Sequence, residues 1–494
     1  MSKEIRVRFA PSPTGYLHIG GLRTALFNYL YARKNNGKML LRIEDTDRTR
    51  YVEGALENLL ETLKWAGIEI DEGVKLSDDG KIIEVGDKGP YIQSQRVKEG
   101  IYNKYIEKLI EEDKAYPCFC SQERLDNLRK QQKADGLMPK YDGLCRSIPK
   151  EEALERIRNG EAHTIRLKLP ANEDIEFEDA IKGKISINTK DMDDQVLIKS
   201  DGFPTYHFAV IVDDHLMGIT HVIRGDEWIS STPKHVYLYK AMGWDAPKFV
   251  HLPTVLNKDR KKYSKRNGDG MVEDFREEGY LPEGLINYLA LLGWAPDSEE
   301  EIFSIKDLIE QFDFDRISKT GAVFDVEKLK WVDGHHIRNL SDEELSKKIK
   351  PYCIKAGFFD ENYSNDKLLL LTDTWKSAIE KLSDIETLAR SYYVDDKDMK
   401  WTDEAVEAIS TQKAKELFDI FIKVVESTDE IDMEFAKTIM KQVQKESGIK
   451  GKDLWFPIRA ALTGNVHGPE LVNAFVIMGK EKMKERLLYV KNNF

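Results

Sequence analysis

The sequence predicts an α/β fold with a parallel sheet, followed by an all-helical region. Residues 5–43 read as strand, turn, helix and strand, which is the pattern of a βαβ unit. After about Trp331 strand-like runs give way to amphipathic helical segments that continue to the C-terminus. The chain has 494 residues, and a single hydrophobic core stops growing at roughly 250–300 residues, so at least two domains are expected.

The first βαβ unit can be followed residue by residue. Residues 5–9 alternate apolar and basic side chains, as a strand does, and two prolines and a glycine in residues 10–15 then predict a turn. From Leu22 the apolar residues recur at helical spacing until residues 35–37, and residues 39–43 read as a second buried strand. Parallel strands place ligands at their carboxyl ends, so the turn at residues 10–15 is a candidate site.

A different pattern interrupts the α/β region at about residues 111–186. This stretch holds three of the four cysteines and a charged helical segment at residues 121–133, and it predicts an inserted subdomain. Parallel-sheet character is expected to resume with a short strand at residues 196–198, followed by strands at 222–223 and 249–256.

Helices are predicted from their caps and their periodicity. One begins at about Ser231, with Pro233 in its first turn, and the acidic cluster at residues 298–301 is interpreted as the start of another. Three amphipathic segments of the C-terminal half are predicted to be helices: residues 368–387, 414–425 and 435–445.

Composition constrains the cellular setting and the partners. The formal net charge of −12 argues mildly against a nucleic-acid partner, although a local basic patch can lie on an acidic protein. Four cysteines in so long a chain are too few for a disulfide framework, so a reducing compartment is expected. The sequence has no secretory signal and no apolar run of roughly 18 residues, which predicts a cytoplasmic protein without a membrane span.

The first chemical motif is a histidine and a glycine pair, His18, Gly20 and Gly21, at the start of the first helix. The unsatisfied N–H groups of a helix start carry the positive end of the helix dipole and bind phosphate. The alternative is an ordinary turn with a surface histidine.

The second motif is the cation-rich segment 258–268, in which a lysine can follow charge as pyrophosphate departs. A solvated charge run is its alternative.

Both motifs resemble signatures of class I aminoacyl-tRNA synthetases. The first resembles the HIGH motif of the glutamyl branch, with Ala-Pro-Ser-Pro-Thr-Gly at residues 10–15 and Gly21 in place of the usual histidine. The second resembles the KMSKS motif, with Tyr263 where methionine is more usual. Further segments resemble the same family from Arg6 to about Leu488, including the C-terminal signature at residues 455–464 and 467–470.

This resemblance implies a Rossmann-like parallel-sheet catalytic domain with an inserted acceptor-binding subdomain, followed by an all-α C-terminal anticodon-binding domain. The expected boundaries are 1–110 and 191–257 for the two halves of the catalytic domain, 111–190 for the inserted acceptor-stem-binding subdomain, 258–335 for the KMSKS-like loop and stem-contact region, and 336–494 for the helical anticodon-binding domain.

The resemblance also assigns site residues. The catalytic residues are His18, Gly20, Lys262 and Lys265. The glutamate-binding residues are Arg8, Ala10, Ser12, Glu44, Tyr206 and Arg224. The ATP-binding residues are His18, Gly20, Gly21, Glu227 and Lys265.

Two of the glutamate-binding residues have clear chemical roles. Arg224 is expected to bind the side-chain carboxylate and Glu44 the ammonium group, since arginine recognises carboxylates with two hydrogen bonds. A neutral amide would leave a desolvated cation unpaired, so Arg224 favours glutamate over glutamine. The alternatives are a surface strand residue at Arg8 and a helix cap at residues 44–47.

The cysteines indicate a second kind of site. Cys118, Cys120 and Cys145 have a spacing that suits structural zinc, and the family pattern has histidine where this chain has Ser147. Serine is a poor zinc ligand, so Tyr141 or an outside residue would have to supply the fourth bond. Three buried thiols left from a lost site are the alternative.

The expected activity is that of a glutamate–tRNA ligase. It would activate glutamate with ATP and Mg²⁺, transfer it to the 3′ end of tRNA(Glu), and work as a monomer. One alternative is a small-molecule nucleotidyltransferase, which does not need the helical half, and another is a catalytically silent RNA-binding paralogue. The sequence leaves open whether tRNA(Gln) is also charged and which residues read the anticodon.

Overall fold

The computed structural model describes residues 4–47, 50–263, 270–360 and 362–494. The chain divides into two units. The first comprises Met1–Phe275 and Ile286–Val326, and the second comprises Arg276–Leu285 and Glu327–Phe494. None of the helices in these described ranges is long and apolar enough to cross a membrane.

All named strands belong to the first unit. They are β1 (Arg6–Phe9), β2 (Lys38–Leu41), β3 (Glu72–Leu76), β4 (Ile82–Val85), β5 (Ala115–Cys118), β6 (Thr164–Leu167), β7 (Asp174–Asp179), β8 (Gly183–Asn188), β9 (Val196–Ile198), β10 (His221–Gly225), β11 (Lys248–Leu252), β12 (Val255–Leu256) and β13 (Ala322–Val323). The helices as far as residue 311 are α1 (Ile19–Lys34), α2 (Ala55–Trp65), α3 (Gln93–Lys98), α4 (Asn103–Glu111), α5 (Gln122–Ala134), α6 (Lys150–Arg158), α7 (Tyr206–Leu216), α8 (Thr232–Met242), α9 (Val272–Glu277), α10 (Pro282–Leu291) and α11 (Ile305–Gln311).

The central strands are parallel, as the first βαβ unit predicts. β2 pairs in parallel with β1 on one side and with β3 on the other, and β10 pairs in parallel with β11. Thr220, just before β10, donates its backbone N–H to the carbonyl of Arg6 at 2.9 Å, which sets β10 beside β1. The carboxyl ends of β1, β2 and β10 therefore meet at one edge, where a ligand site is expected in an open α/β sheet.

The inserted segment has a sheet of its own. β5, β6 and β9 form an antiparallel sheet, and α5, capped by the Ser121 hydroxyl, and α6 lie in the same stretch of chain. The strand predicted at residues 196–198 is therefore real, but it pairs with the inserted segment and not with the parallel sheet. Residues 206–212, which are mostly apolar, are helical and form the first part of α7.

Two sequence predictions of the first unit need correction. The strand predicted at residues 249–256 is divided at Pro253, so β11 ends at Leu252 and β12 follows as a separate strand. The acidic cluster at residues 298–301 does not begin a helix. α11 begins at Ile305, because the side chains of Ser304 and Asp307 form a capping box there.

In the described residues of the second unit, helices are joined by loops and there is no named strand. Its helices continue with α12 (Val326–Asn339), α13 (Asp342–Lys355), α14 (Asn365–Trp375), α15 (Ile385–Leu388), α16 (Arg390–Tyr393), α17 (Asp403–Ile409), α18 (Gln412–Glu426), α19 (Met433–Ser447), α20 (Lys452–Thr463) and α21 (Leu471–Asn493). The predicted helices at 414–425 and 435–445 are α18 and α19. The one predicted at 368–387 is wrong in length, because α14 ends at Trp375 and α15 begins at Ile385.

Candidate active site

A cleft of about 840 Å³ lies at the carboxyl edge of β1, β2 and β10. Eight of the residues assigned from the sequence line it: Arg8, Ala10, Ser12, Gly21, Glu44, Tyr206, Arg224 and Glu227. These residues lie on or just after β1, β2 and β10 and at the starts of α1 and α7, so the fold brings them together from distant positions in the chain. All six residues predicted to bind glutamate therefore share one cavity.

One side of the cleft rests on a set of buried ion pairs that we call the balanced cluster. Its members are Arg8, Arg42, Arg96, Glu44, Asp213 and Asp214. Three arginines face three carboxylates, so the formal charges of the cluster cancel. Burying a charge is costly unless it is paired, and each of these side chains has an opposite charge within 3.1 Å.

Asp214 is the shared partner in the balanced cluster. Its carboxylate accepts hydrogen bonds from Arg8 Nε at 3.1 Å and from Arg42 NH1 at 2.7 Å. Arg42 also donates to Glu44 at 3.0 Å. Burial alone would raise the pKa of Asp214, but the two guanidinium groups outweigh it and the pKa is lowered. For Glu44, which lines the cleft, burial outweighs Arg42 and the pKa is raised.

The cleft also borders what we call the Arg224 cluster: Arg224, Tyr206, Thr232, His235 and His251. Arg224 Nε donates to His251 Nε2 at 3.1 Å, and its two terminal nitrogens contact the Thr232 hydroxyl at 2.9 Å, the Tyr206 hydroxyl at 3.2 Å and His235 Nδ1 at 3.3 Å. Within the described part of the chain, these partners of Arg224 are all uncharged. The guanidinium is buried and lines the cleft, and no carboxylate of the described residues forms an ion pair with it.

The histidines of this cluster are held neutral. Burial, followed by the charge of Arg224, lowers the pKa of His235 well below its usual value. Burial and Lys234 lower the pKa of His207, which lies 2.9 Å from His235, to about 4. Arginine only donates hydrogen bonds, so His235 Nδ1 accepts from Arg224 and its Nε2–H donates to His207.

His18 lies at the N-terminus of α1, as the motif predicts. The backbone N–H groups of Ile19 and Gly20 beside it already donate hydrogen bonds within the protein. His18 Nδ1 accepts from the Gly20 N–H at 3.2 Å, and the Ile19 N–H donates to the Gly270 carbonyl at 2.9 Å. Of the residues at this helix start, Gly21 lines the cleft, whereas His18 and Gly20 are not among its lining residues. A phosphate at Ile19 or Gly20 would have to replace these hydrogen bonds.

The ends of the lysine loop lie against His18. The ring of Tyr263 is 5.7 Å from the imidazole and 5.0 Å from Phe324, so the tyrosine that replaces the usual methionine packs between them. A Cβ on Gly270, whose φ is +93°, would lie 2.6 Å from His18 Nε2, and only glycine fits there. Lys262 lies 3.7 Å from Glu227 at the cleft, whereas Lys265 lies outside the described residues.

The three cysteines of the inserted segment come together. The sulfur atoms of Cys118, Cys120 and Cys145 lie within 4.8 Å of one another, and all three are thiols. The Tyr141 hydroxyl is 3.4 Å from the Cys118 sulfur and 3.7 Å from that of Cys120. The Ser147 hydroxyl instead donates to the Leu144 carbonyl, so Tyr141 and not Ser147 is the residue whose hydroxyl contacts these sulfur atoms.

Several residues of the site carry no motif in the sequence. Asp213 and Asp214 follow an apolar helical run, and two acidic residues there are a signal that a buried ion pair follows. His251 within the apolar strand β11 is a similar signal. Neither signal identifies the partner, because the pairing residues lie on other elements, such as Arg96 on α3 and Asp179 on β7.

Comparison with known proteins gives the class. The family model described as "tRNA synthetases class I (E and Q), catalytic domain" matches residues 4–331, and that described as "Anticodon binding domain" matches residues 344–490. The fold and the cleft are those of a class I aminoacyl-tRNA synthetase, with a Rossmann-like α/β catalytic domain and an all-helical anticodon-binding domain.

Individual relatives narrow the class. The chain is 60% identical to the glutamate–tRNA ligase of Finegoldia magna, with 98% of each chain covered, and 52% identical to that of Alkaliphilus metalliredigens, with 99% of each covered. It belongs to the glutamate–tRNA ligase family, whose members are aminoacyl-tRNA ligases. A solved glutamate tRNA ligase from Elizabethkingia meningosepticum, in complex with its amino acid, has a TM-score of 0.87 at 36% identity and covers 99% of this chain and 100% of its own.

Proposed function

We propose that this chain joins glutamate to the 3′ end of tRNA(Glu) in two steps. The α-carboxylate of glutamate attacks the α-phosphate of ATP, so a carboxyl–phosphate bond forms and pyrophosphate leaves. The terminal ribose hydroxyl of the tRNA then attacks the carbonyl of the adenylate, and AMP leaves. The observation that carries the proposal is Arg224, a buried cation that lines the cleft among neutral partners.

The amino acid is bound by residues of both the Arg224 cluster and the balanced cluster. Arg224 binds the side-chain carboxylate, with the Tyr206 hydroxyl beside it. Glu44 binds the ammonium group, and its raised pKa reflects a buried carboxylate that a cationic ligand stabilises. Arg8, Ala10 and Ser12 line the space between.

ATP is bound next to the start of α1. Gly21 and Glu227 line the same cleft as the glutamate residues. His18, Gly20, Lys262 and Lys265 are the further residues that we assign to the nucleotide from the family resemblance. Cations beside the phosphates neutralise the charge that develops as pyrophosphate departs. Magnesium, if bound with ATP, would supply further positive charge beside the phosphates.

The test is ATP–pyrophosphate exchange with glutamate, measured with and without tRNA. Glutamate-dependent exchange is expected, and family resemblance implies that it requires tRNA. Exchange without RNA on a substrate that is not an amino acid would favour a nucleotidyltransferase. Absence of exchange under every condition would favour a silent RNA-binding protein. Parallel charging of purified tRNA(Glu) and tRNA(Gln) then defines the tRNA range.

We also propose that Cys118, Cys120, Cys145 and Tyr141 hold a structural zinc ion. Three thiols and a phenol gathered at one place provide the four ligands that such a site needs. Metal analysis of the purified protein is expected to give about one zinc per chain. Cys145→Ser should lose the zinc, and Cys353→Ser, a buried cysteine of the second unit, should retain it. A metal-free wild type would refute the site.

We propose in addition that the protein works as a monomer in the cytoplasm. All four cysteines are free thiols, which suits a reducing compartment. Light scattering of the purified protein, with and without tRNA, tests the monomer: a mass near 57.0 kDa for the protein alone is expected, and twice that mass would contradict it.

A further inference from the structure

Beneath Arg224, away from the cleft, two fully buried residues form a hydrogen-bonded pair. Asp179 ends β7 and His251 lies near the end of β11, and the two strands are joined in parallel at Asp179 and Phe249. The side chains of Asp179 and His251 have no exposed surface. Neither residue is among those that line the cleft, so neither is in a position to touch the amino acid.

The carboxylate of Asp179 is held from both sides. One oxygen accepts from the backbone N–H groups of Ile181 and Lys182 at 3.0 and 2.8 Å. The other accepts from His251, from its backbone N–H at 3.1 Å and from its ring Nδ1 at 2.7 Å. Four donors therefore fix one carboxylate, and the imidazole that it contacts is fixed in turn.

This contact sets the tautomer of His251. A carboxylate only accepts and arginine only donates, so Nδ1 carries the proton and Nε2 presents its lone pair to Arg224 Nε at 3.1 Å. Burial is the main cause of the lowered pKa of His251, and the guanidinium adds to it, so the ring is neutral. The Thr232 hydroxyl, 3.1 Å from the same Nε2, is also uncharged.

A neutral acceptor at Nε fixes the plane of the guanidinium without cancelling its charge. A carboxylate in the same place would orient Arg224 equally well, but it would leave little attraction for an anionic ligand, as in the pairing of Arg8 with Asp214. The negative charge of Asp179 lies one side chain further away and is shared among four N–H donors. Four of the five N–H groups of Arg224 are engaged by these partners, so one Nη1–H remains for a carboxylate oxygen, and its direction depends on such an orientation.

We propose that Asp179 and His251 are positioning residues that aim Arg224 at the side-chain carboxylate of the substrate and keep its charge available. The inference rests on the proposed function, because it takes glutamate as the ligand of Arg224. It assigns a role in substrate affinity to two residues that do not contact the substrate.

Asp179→Asn in the full-length protein tests this. An amide nitrogen donating to Nδ1 would move the ring proton to Nε2, where it would face the Nε–H of Arg224. The KM for glutamate in tRNA charging is expected to rise about tenfold, the effect of one lost hydrogen bond to a charged group. The kcat and the KM for ATP should stay within about twofold of wild type. Asp193→Asn is the matched control, because Asp193 pairs with Lys234 of α8 and does not contact Arg224.

A double-mutant cycle separates positioning from a merely structural role. If Asp179 acts through Arg224, Asp179→Asn should change the glutamate KM little in an Arg224→Lys background. An equal rise in both backgrounds, or a folded Asp179→Asn variant with the wild-type glutamate KM, would overturn the proposal.

Two further measurements keep the test independent of the folding of one variant. His251→Gln should raise the glutamate KM in the same way. In the wild type, ¹⁵N NMR of labelled histidine, assigned by comparison with His251→Gln, should show an unprotonated Nε2, and a protonated Nε2 would overturn the proposal. Failure of the proposed function itself would appear in the wild type, as the absence of glutamate-dependent charging.

Discussion

The two clusters beside the cleft stabilise buried arginines in different ways. In the balanced cluster, Arg8 and Arg42 both bond to Asp214, and Arg42 also bonds to Glu44. In the Arg224 cluster, the partners of Arg224 are a threonine, a tyrosine and two histidines. The first arrangement completes its charges within the protein, whereas the second leaves one positive charge facing the cavity.

The difference suits the balanced cluster to stabilising the fold and the Arg224 cluster to binding an anionic ligand. Paired buried charges hold β1, β2 and α7 together, and because their fields largely cancel they attract an anion much less than an unpaired cation does. A desolvated cation with neutral partners has a strong preference for an anionic ligand, because a neutral one would leave it uncompensated. The predictions below test this contrast, from the largest expected effect to the smallest.

Asp214→Ala should have the largest effect, and on stability. It removes the partner shared by Arg8 and Arg42 and leaves buried positive charge uncompensated, so the free energy of unfolding should fall by about 3–5 kcal/mol. Urea denaturation measures this. The control is Asp79→Ala, which removes an exposed pair with Lys81 and should leave the unfolding transition unchanged. Equal behaviour of the two variants would contradict the balanced cluster.

Arg224→Ala should act on affinity. The KM for glutamate should rise by about 100-fold or more, as expected when one member of a buried charged pair is removed, while tRNA binding stays intact. Charging kinetics and a tRNA-binding assay measure the two effects. Arg33→Ala, which breaks the Arg33–Asp71 pair elsewhere in the first unit, is the control for losing an arginine. Unchanged glutamate kinetics in Arg224→Ala would remove the basis of the proposed function.

The neutral histidines predict a pH dependence of stability. The folded pKa of His207 is lowered to about 4, whereas in the unfolded chain it is about 6.5. Between these values the unfolded state binds a proton that the folded state does not, so stability falls as the pH falls through this window, by about 1.4 kcal/mol per pH unit.

His207→Gln should remove the part of the slope that His207 contributes, while His235 and His251, whose pKa values burial lowers in the same direction, keep their own contributions. Urea denaturation of wild type and variant from pH 4.5 to 8 measures it, and the difference between the two should be constant above about pH 7.5, where neither state of the wild type binds the proton. Parallel curves throughout the range would show that His207 titrates alike in both states.

Tyr206→Phe should have the smallest effect. It removes a hydroxyl 3.2 Å from Arg224 but keeps the ring against Trp228, at a centroid distance of 4.2 Å. This hydrogen bond is long and Arg224 keeps its three other partners, so the loss should be about 1 kcal/mol and the glutamate KM should rise about fivefold. Tyr31→Phe, whose hydroxyl contacts His221, should leave it unchanged. An effect as large as that of Arg224→Ala would show that the neutral partners matter as much as the charge.

The sequence identified the cleft residues better than it identified their surroundings. The six residues that family resemblance assigned to glutamate line one cavity. They lie near the ends of strands or at the start of a helix, where an open α/β sheet places its ligands. The predicted helix at 298–301 was wrong because acidic residues favour many exposed turns as well as helix starts, and the cap that decides lies at Ser304. The strand at 196–198 was correct, but its partner β6 could not be read from a period-2 pattern.

The sequence by itself determined the order of the elements, the two motifs, the cation at Arg224 and the cysteine set. These depend on residue type, spacing and local conformation. Only the tertiary structure decided which arginines are neutralised, because Arg8 and Asp214 are 206 residues apart and meet only when β1 packs beside α7. Charge compensation is a property of three-dimensional neighbours, so a sequence can supply an arginine without revealing whether its charge remains available to a ligand.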